Sequence, residues 1–392
     1  MIDTNQWERS CAQYLRRGVF FFFFPCFFRR VSVYWRYIET VLERAQGGIC
    51  VSVTIKDVAR SCGLSISTVS KVFNGYPDIS EVTRRQVMEA AHEIGYRPNA
   101  LARALKTNRS YNLGVLFVDE NISGLMHPFF AAVLNAFKAE AETWGYDITF
   151  INHNIGTMEM TYLEHCRYRN VDGVCLACVD FYSAEVADLV NSDIPCVTID
   201  HMFNNRPNII SDNINGIRTL VDRAVELGHR RIAYIHGQRN SSVTENRIRG
   251  FYRAAEAHGL KLPAGYVDQG RYDDTESAYR HVLKLLERKD RPSCILLPDD
   301  ASYFGALTAA REKGLRVPED ISFAGYDGIQ YVQAIRPHLT TIRQDTEAMG
   351  REAALRLIEH IEHPNTASSD PVYIASELVE GESLAAYEEK SI

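Results

Sequence analysis

The sequence predicts a two-part chain: a small all-α unit built around a helix-turn-helix, then a larger two-lobed α/β body whose parallel sheets carry helices on both faces. Three observations predict it. Near the front, three short apolar patterns recur at helical spacing, separated by Gly63 and by Asn74-Gly75. From Tyr111 onward, short apolar runs alternate with amphipathic helical stretches, and the alternation restarts after Asp212-Asn213. Charge divides at the same place. Residues 51–110 hold nine Lys/Arg against five Asp/Glu, residues 1–50 seven against four, and residues 111–392 carry −14 of the chain's net −7. An acidic body is repelled by phosphate, so nucleic-acid contact is confined to the basic front unit.

Residues 1–50 read unlike the rest. Val19–Phe28 is an apolar run broken by Pro25 and flanked by Arg16, Arg17, Arg29 and Arg30. A spanning helix needs about 20 apolar residues, and no small-residue cleavage site follows that would make the run a leader. The expectation is that this segment is an upstream extension and that the native chain starts at Val51, whose codon can be the bacterial initiator GTG. Gly47-Gly48 requires GGN-GGN codons, a ribosome-binding pattern at a suitable distance. A membrane-tethering arm is the alternative. The nine cysteines form no disulfide framework, which suits a reducing cytoplasm. Cys175 and Cys178 form a C-x-x-C inside the apolar run Val174–Val179 and read as buried strand thiols.

The front unit builds up in order. Thr54 with Asp57 has the spacing of a capping box. Ile55, Val58, Ala59 and Cys62 then form a stripe, and Gly63 ends the helix. Ser65 is the cap of a second helix that turns Val69, Val72 and Phe73 inward and closes at Asn74-Gly75. A third helix runs from about Glu81 to Ile94, capped by Ser80, with Val82, Val87, Ala90, Ala91 and Ile94 as its apolar stripe. Two short helices joined by a tight Gly turn with a third behind them make a helix-turn-helix. The second helix presents Ile66, Ser67, Thr68, Ser70 and Lys71, short polar groups and a cation that suit base edges and phosphates.

In the body, strands are predicted over Leu113–Val118, Asp147–Asn152, Gly173–Ala177 and Cys196–Ile199, with helices over Pro128–Trp144, Met158–Tyr168 and Ala184–Val190. After the restart come helix Ile217–Leu227, strand Ile232–His236 and helix Asn246–His258. Helix Glu276–Leu286, strand Cys294–Leu297, helix Tyr303–Lys313 and strand Ile321–Ala324 follow. Sheets of this kind bind ligands at the carboxyl ends of their strands, here between the lobes.

The run Val53-Thr-Ile-Lys-Asp-Val-Ala-Arg-Ser-Cys-Gly-Leu-Ser-Ile-Ser-Thr-Val-Ser-Lys-Val-Phe-Asn-Gly75 and the run Gly95-Tyr-Arg-Pro-Asn-Ala-Leu-Ala-Arg-Ala-Leu-Lys106 resemble the headpiece of the lac/galactose repressor family. The body carries His127-Pro-Phe-Phe130, Ser211-Asp-Asn213, Leu227-Gly-His-Arg-Arg-Ile-Ala233, Arg247-Ile-Arg-Gly-Phe251, Pro298-Asp-Asp300, Pro318-Glu-Asp-Ile-Ser322, Gly325-Tyr-Asp327 and Leu339-Thr-Thr-Ile-Arg-Gln344 in the family's order. The resemblance implies a helix-turn-helix domain over 51–97, a hinge helix and linker over 98–110, and a periplasmic-binding-protein-like effector and dimerisation domain over 111–392. It implies that Ile66, Ser67 and Lys71 choose operator bases, that Thr68 and Ser70 hold phosphates, and that Asn74 anchors the helix end. In the hinge it implies Arg103 and Lys106 as phosphate contacts and Leu105 as an apolar wedge between base steps of the minor groove.

For the body it implies an effector cleft. Arg247, Asp200, Asp299, Asp327 and Gln344 are the expected polar ligands of a hydroxyl-rich molecule, most simply a sugar, with Phe129 and Tyr272 as ring platforms. Arg247 could instead pair with an acid such as Glu245. Phe130 reads as core, and Asp300 as a cap of the following helix. The expected protein is a cytoplasmic repressor that binds a palindromic operator as a homodimer, because two headpieces reading a palindrome require a two-fold axis. No leucine heptads close the chain, so no coiled-coil tetramer is expected. A secreted sugar-binding protein is the alternative class, and the headpiece argues against it. No Walker loop, G-x-S-x-G or H-E-x-x-H occurs, so the expectation is no enzyme, no cofactor and no metal.

Overall fold

The computed structural model describes residues 53–73, 75–97, 104, 109–118, 124–239 and 241–388. The upstream segment, the expected start at Val51, Asn74, and the hinge apart from Ala104, Arg109 and Ser110 lie outside the described residues. The chain divides into two compact units, Met1–Asn99 and Ala100–Ile392.

In the first unit, helices α1 (Ile55–Cys62), α2 (Ile66–Phe73) and α3 (Glu81–Glu93) form where local signals put them. Asp57 Oδ2 accepts from the Thr54 amide at 2.9 Å and from its hydroxyl at 2.7 Å. Gly63 takes the left-handed conformation, φ 67°, that turns the chain between α1 and α2. Ser65 Oγ accepts from Thr68 N at 3.0 Å, and Ser80 Oγ from Thr83 N at 3.2 Å. Val58, Ala59, Cys62, Val69, Val72, Val87, Ala90 and Ala91 close the core. Val82 does not join them; it is 77% exposed. At 100° per residue it lies about 140° around the helix from Val87, off the face shared by 87, 90, 91 and 94.

In the second unit the strands are β1 (Asn112–Phe117), β2 (Asp147–Phe150), β5 (Gly173–Ala177), β6 (Cys196–Ile199) and β7 (Asn208–Ser211) in one lobe. The other lobe has β8 (Ile232–His236), β9 (Val267–Gln269), β10 (Cys294–Leu296), β11 (Ser322–Asp327) and β12 (Thr340–Gln344). The first sheet runs β13-β7-β6-β5-β1-β2 and the second β14-β12-β11-β10-β8-β9, with β13 (Val372–Ile374) and β14 (Ser376–Val379) at the edges. All pairings within the two sheets are parallel except β14 on β12. Side chains alternate between the two faces of the buried strands. Cys175 and Ala177 face α4 (Pro128–Thr143) and α11 (Thr346–Glu362), whereas Val174 and Leu176 face α5 (Tyr162–Arg169) and α6 (Ala184–Val190). In the second lobe Ile235 and Ile295 face α9 (Thr275–Leu286) and α10 (Ser302–Glu312), and Tyr234 and Leu296 face α7 (Asn213–Glu226) and α8 (Ser242–Ala257).

Several features depart from the pattern reading: α7 and α8 each begin four residues before the predicted Ile217 and Asn246. The predicted helix from Met158 begins only at Tyr162, because β3 (Asn154–Ile155) and β4 (Met158–Glu159) pair as a short hairpin and Thr161 with Glu164 supplies the capping box. The lobes are also not consecutive in sequence. The chain passes between them three times: from β7 to α7, from β12 to α11, and from β13 to β14. Asp212 caps α7 and Asp345 caps α11, each accepting from the amide three residues on. Helix α11 buries Met349, Ala353, Leu357 and Ile358 on the first lobe although it follows a strand of the second.

Candidate functional site

Among the described residues of the first unit, α2 offers a candidate surface. With Ser65 capping α2, Ile66 and Ser67 stand exposed at the start of the helix while Val69 and Val72 are buried. Ile66 is 45% exposed beside a filled core, so its side chain is open to solvent. Thr68 and Ser70 are half-buried, and Thr68 Oγ1 lies 2.8 Å from Ser65 Oγ. Lys71 Nζ donates to Asp78 Oδ2 at 2.5 Å. That hydrogen bond raises the lysine's pKa and lowers the aspartate's, so phosphate has to compete with an internal acid for this cation. Asn74, Arg103, Leu105 and Lys106 lie outside the described residues.

The second unit holds a cavity of about 190 Å³ lined from both lobes. All seven residues predicted for the effector, Phe129, Asp200, Arg247, Tyr272, Asp299, Asp327 and Gln344, line it. Five come from the carboxyl ends of strands: Asp200 follows β6, Tyr272 β9 and Asp299 β10, while Asp327 ends β11 and Gln344 ends β12. Phe129 lies in the first turn of α4 and Arg247 in α8.

Arg247 is the centre of the polar floor. It is 4% exposed and donates from Nε to Asn213 Oδ1 at 2.8 Å and from Nη1 to the Pro298 carbonyl at 3.2 Å. Its Nη2 lies 3.8 Å from Asp327 Oδ1, and the guanidinium sits 3.6 Å over the Tyr326 ring. Its acid partner is therefore Asp327, eighty residues away, and Glu245 is exposed. Asp327 also accepts from Gln344 Nε2 at 2.7 Å and holds φ 112°, a strained conformation for a residue with a Cβ. Burial raises its pKa well above the usual carboxylate range, against the pull of Arg247. Gln344 Oε1 is buried and, among the described residues, has no hydrogen-bond partner.

The other two acids also brace the loops. Asp200 Oδ1 accepts from the Ser211 amide at 2.7 Å and Oδ2 from its hydroxyl at 2.9 Å. Ser242 Oγ of the second lobe donates to the Asp200 carbonyl at 2.6 Å, a bond across the cleft. Asp299 accepts from the amides of Asp273 at 2.7 Å and Ser302 at 2.8 Å. The expected cap Asp300 does not cap α10: Ala301 holds the N-cap position without a side-chain bond, and the first helical amide, Ser302 N, is taken by Asp299. Asp300 accepts from Thr341 Oγ1 at 2.5 Å and Ile329 N at 2.7 Å, and burial pushes its pKa up to about 7. Tyr272 shares a hydrogen with Thr244 Oγ1 across 2.9 Å, and its ring occupies the space of a Gly237 side chain, 1.9 Å from where a Cβ would stand.

Two residues read as core reach the cavity. Phe130 is half-buried, packs 5.4 Å from Phe117 and 5.0 Å from His127, and lines the cleft. Cys178 is likewise half-buried and turns into the cavity on a left-handed residue, φ 52°, whereas Cys175 is fully buried in β5. Sequence reasoning did not single out Asn213, Tyr326, Asp180, Asp273 or Phe181. Asn213 and Tyr326 stand inside quoted motifs, which was the available signal.

A DNA-reading helix-turn-helix on one unit and a polar, two-lobed ligand cleft on the other define a ligand-controlled regulator of transcription. Residues 54–99 match the family described as bacterial regulatory proteins, lacI family, and residues 221–384 match the periplasmic binding protein-like domain. The HTH-type transcriptional repressor PurR of Haemophilus influenzae is 32% identical over 314 residues, 79% of this chain and 91% of that protein. A lac repressor dimer bound to operator and the anti-inducer ONPF superposes with a TM-score of 0.69 at 26% identity, covering 85% of this chain and 99% of that one. A complex of the transcriptional regulator CelR with cellobiose gives 0.63 at 27% identity, covering 84% and 99%. The chain belongs to the lacI family of bacterial regulatory proteins. It is a DNA-binding transcriptional repressor controlled by a small-molecule effector.

Proposed function

We propose that this repressor acts in the cytoplasm as a homodimer on a palindromic operator, and that its effector is a neutral, hydroxyl-rich molecule, most simply a sugar. One observation carries the choice of ligand: the cleft is an acceptor surface. Five carboxylates, of Asp180, Asp200, Asp273, Asp299 and Asp327, line it beside the unpartnered Gln344 Oε1, and Arg247 is the one Lys or Arg among the lining residues. Hydroxyl groups supply donors to such a surface, and a buried acceptor left without one costs about 1–3 kcal/mol. A phosphorylated ligand meets like charge. A nucleobase brings ring acceptors along with its few donors, though Phe129 and Tyr272 could cover a flat ring as well as a sugar face.

The ligand controls operator affinity only through its different affinity for the open and closed cleft. The Ser242–Asp200 bond spans the cleft and would have to break for the lobes to separate there. Two hinges in a dimer then stand at a spacing that either suits the operator or does not. A thermal-shift screen of neutral mono- and disaccharides, sugar phosphates and nucleobases tests the reading, followed by anisotropy on the selected operator. Stabilisation and changed operator affinity with a neutral sugar are expected. A response to a sugar phosphate or a nucleobase alone overturns the sugar assignment.

A further inference from the structure

The second crossover joins the cleft to the exit of the hinge through a single helix. At its start, Gln344 is held by Asp327 at 2.7 Å, and Asp345 Oδ1 then accepts from Ala348 N at 2.9 Å to begin α11. Its 17 residues span about 25 Å at 1.5 Å per residue. Along that length Met349, Ala353, Ala354 and Leu357 have no exposed surface. Gly350 lies so close to α4 that a Cβ would stand 2.1 Å from the Val133 carbonyl. A helix seated this tightly moves as a rod, because packed interiors deform little.

At its far end, Glu362 pairs with Arg109 and accepts from Tyr146 OH at 2.9 Å, while Arg109 Nη2 donates to the Ile361 carbonyl at 2.9 Å. The next residues are fixed too. The amides of Ser110 and Tyr111 each donate to Asp172 at 2.8 Å. Arg109 is three residues beyond Lys106, the end of the hinge pattern.

We propose that α11 is the rod by which the cleft sets the hinge: a change at Gln344 is carried to the Glu362–Arg109–Tyr146 clasp, which fixes where the hinge segment leaves the body. Arg109 and Glu362 are then positioning residues of the repressor's response, and the proposal rests on the repressor reading. The effector need not be known for the test, since Gln344 and Glu362 can be compared by a double-mutant cycle on DNA affinity. The probe is the duplex that the full-length wild-type protein enriches from a random library.

Gln344→Ala should change affinity for that duplex at least fivefold in the wild-type background and less than twofold in the Glu362→Gln background. Glu362→Gln keeps an acceptor for Tyr146 and removes the charge facing Arg109. Sites this far apart with no shared partner act independently, so a purely structural role for the clasp lowers the melting temperature and leaves the two fold-changes multiplying. Multiplication within twofold, or a Gln344→Ala effect below twofold in the wild type, overturns the proposal. Should Glu362→Gln not fold, Arg109→Lys takes its place, retaining the charge but not the fork that reaches Glu362 and the Ile361 carbonyl together, with the same outcomes deciding. Enrichment of no duplex at all overturns the repressor reading, and this inference with it.

Discussion

Replacing Arg247 with methionine tests whether the floor of the cleft is one polar unit that both holds the body together and meets the ligand. Methionine keeps an unbranched side chain and removes every donor. Asn213 Oδ1 at 2.8 Å and the Pro298 carbonyl at 3.2 Å then lose this donor, and the Asp327 carboxyl loses its cation at 3.8 Å and keeps only Gln344 Nε2. Breaking a buried ion pair from one side costs up to about 3–5 kcal/mol, and protonation of Asp327, whose pKa burial already raises, offsets part of it. Packing of the methionine on Tyr326 recovers part of the lost ring contact. At about 2–4 °C per kcal/mol for a unit of this size, the melting temperature of the body should fall by up to about 6–20 °C. Effector affinity should fall at least tenfold, or about 1.4 kcal/mol. Scanning calorimetry gives the first quantity and titration calorimetry with the effector found by the screen gives the second. A melting temperature within about 2 °C of wild type refutes the polar-floor argument. A lowered melting temperature with unchanged effector affinity would show that Arg247 braces the cleft without touching its ligand.

Four further perturbations read separate parts of the molecule. Leu105→Ala should weaken operator binding by one to a few kcal/mol, roughly the scale of a lost unstacking wedge, with effector affinity of the full chain unchanged; equal operator affinity by anisotropy at fixed salt counts against it. Exchanging Ile66 and Ser67 for other residues should change the operator selected from a random library more than it changes affinity for random DNA, and an identical consensus refutes the assignment. Asp78→Asn releases Lys71, so binding to random duplex should strengthen and the slope of log K against log salt should steepen by about 0.9 if one phosphate contact is gained; an unchanged slope refutes the competition. Burial depresses His229 to about 4 from 6.5, so the unfolded chain takes up the extra proton: stability present above pH 6.5 is lost as pH falls through 4, by about 3 kcal/mol. His229→Gln should flatten that part of the acid slope in urea unfolding, and an unchanged slope sinks the attribution.

The front unit was legible because its signals are local. The caps at Thr54, Ser65 and Ser80 and the turn at Gly63 each act within four residues. Val82 shows the limit: hydrophobicity alone placed it inside, and only the angle around the helix puts it in solvent. The cleft residues were legible for a different reason. In parallel sheets the loops that follow strands gather at one end, so motifs spread from residue 129 to residue 344 meet in one cavity. What those residues bond to was not legible, because it depends on the path of other loops. Nothing near Asp200 announces Ser211, and nothing near Arg247 announces Asp327 or Asn213. The return of α11 to the first lobe was hidden as well, since its apolar stripe would suit either sheet.

These hidden bonds bear on how the cleft works. Asp200 and Asp299 each accept two loop hydrogen bonds, which taken alone makes them structural. A carboxylate, however, offers about four lone-pair sites, so each retains acceptor capacity towards the cavity that both line. The same atoms can therefore shape the loops and receive the ligand. A ligand hydroxyl placed on Asp200 would touch the residue that Ser242 reaches across the cleft and that Ser211 fixes at the first crossover. On Gln344 it would touch the residue that opens the second crossover. In the proposed reading, contact with ligand and control of the lobe angle would be properties of the same few side chains, and a donor-rich molecule bound there would act directly on the segments that join the two lobes.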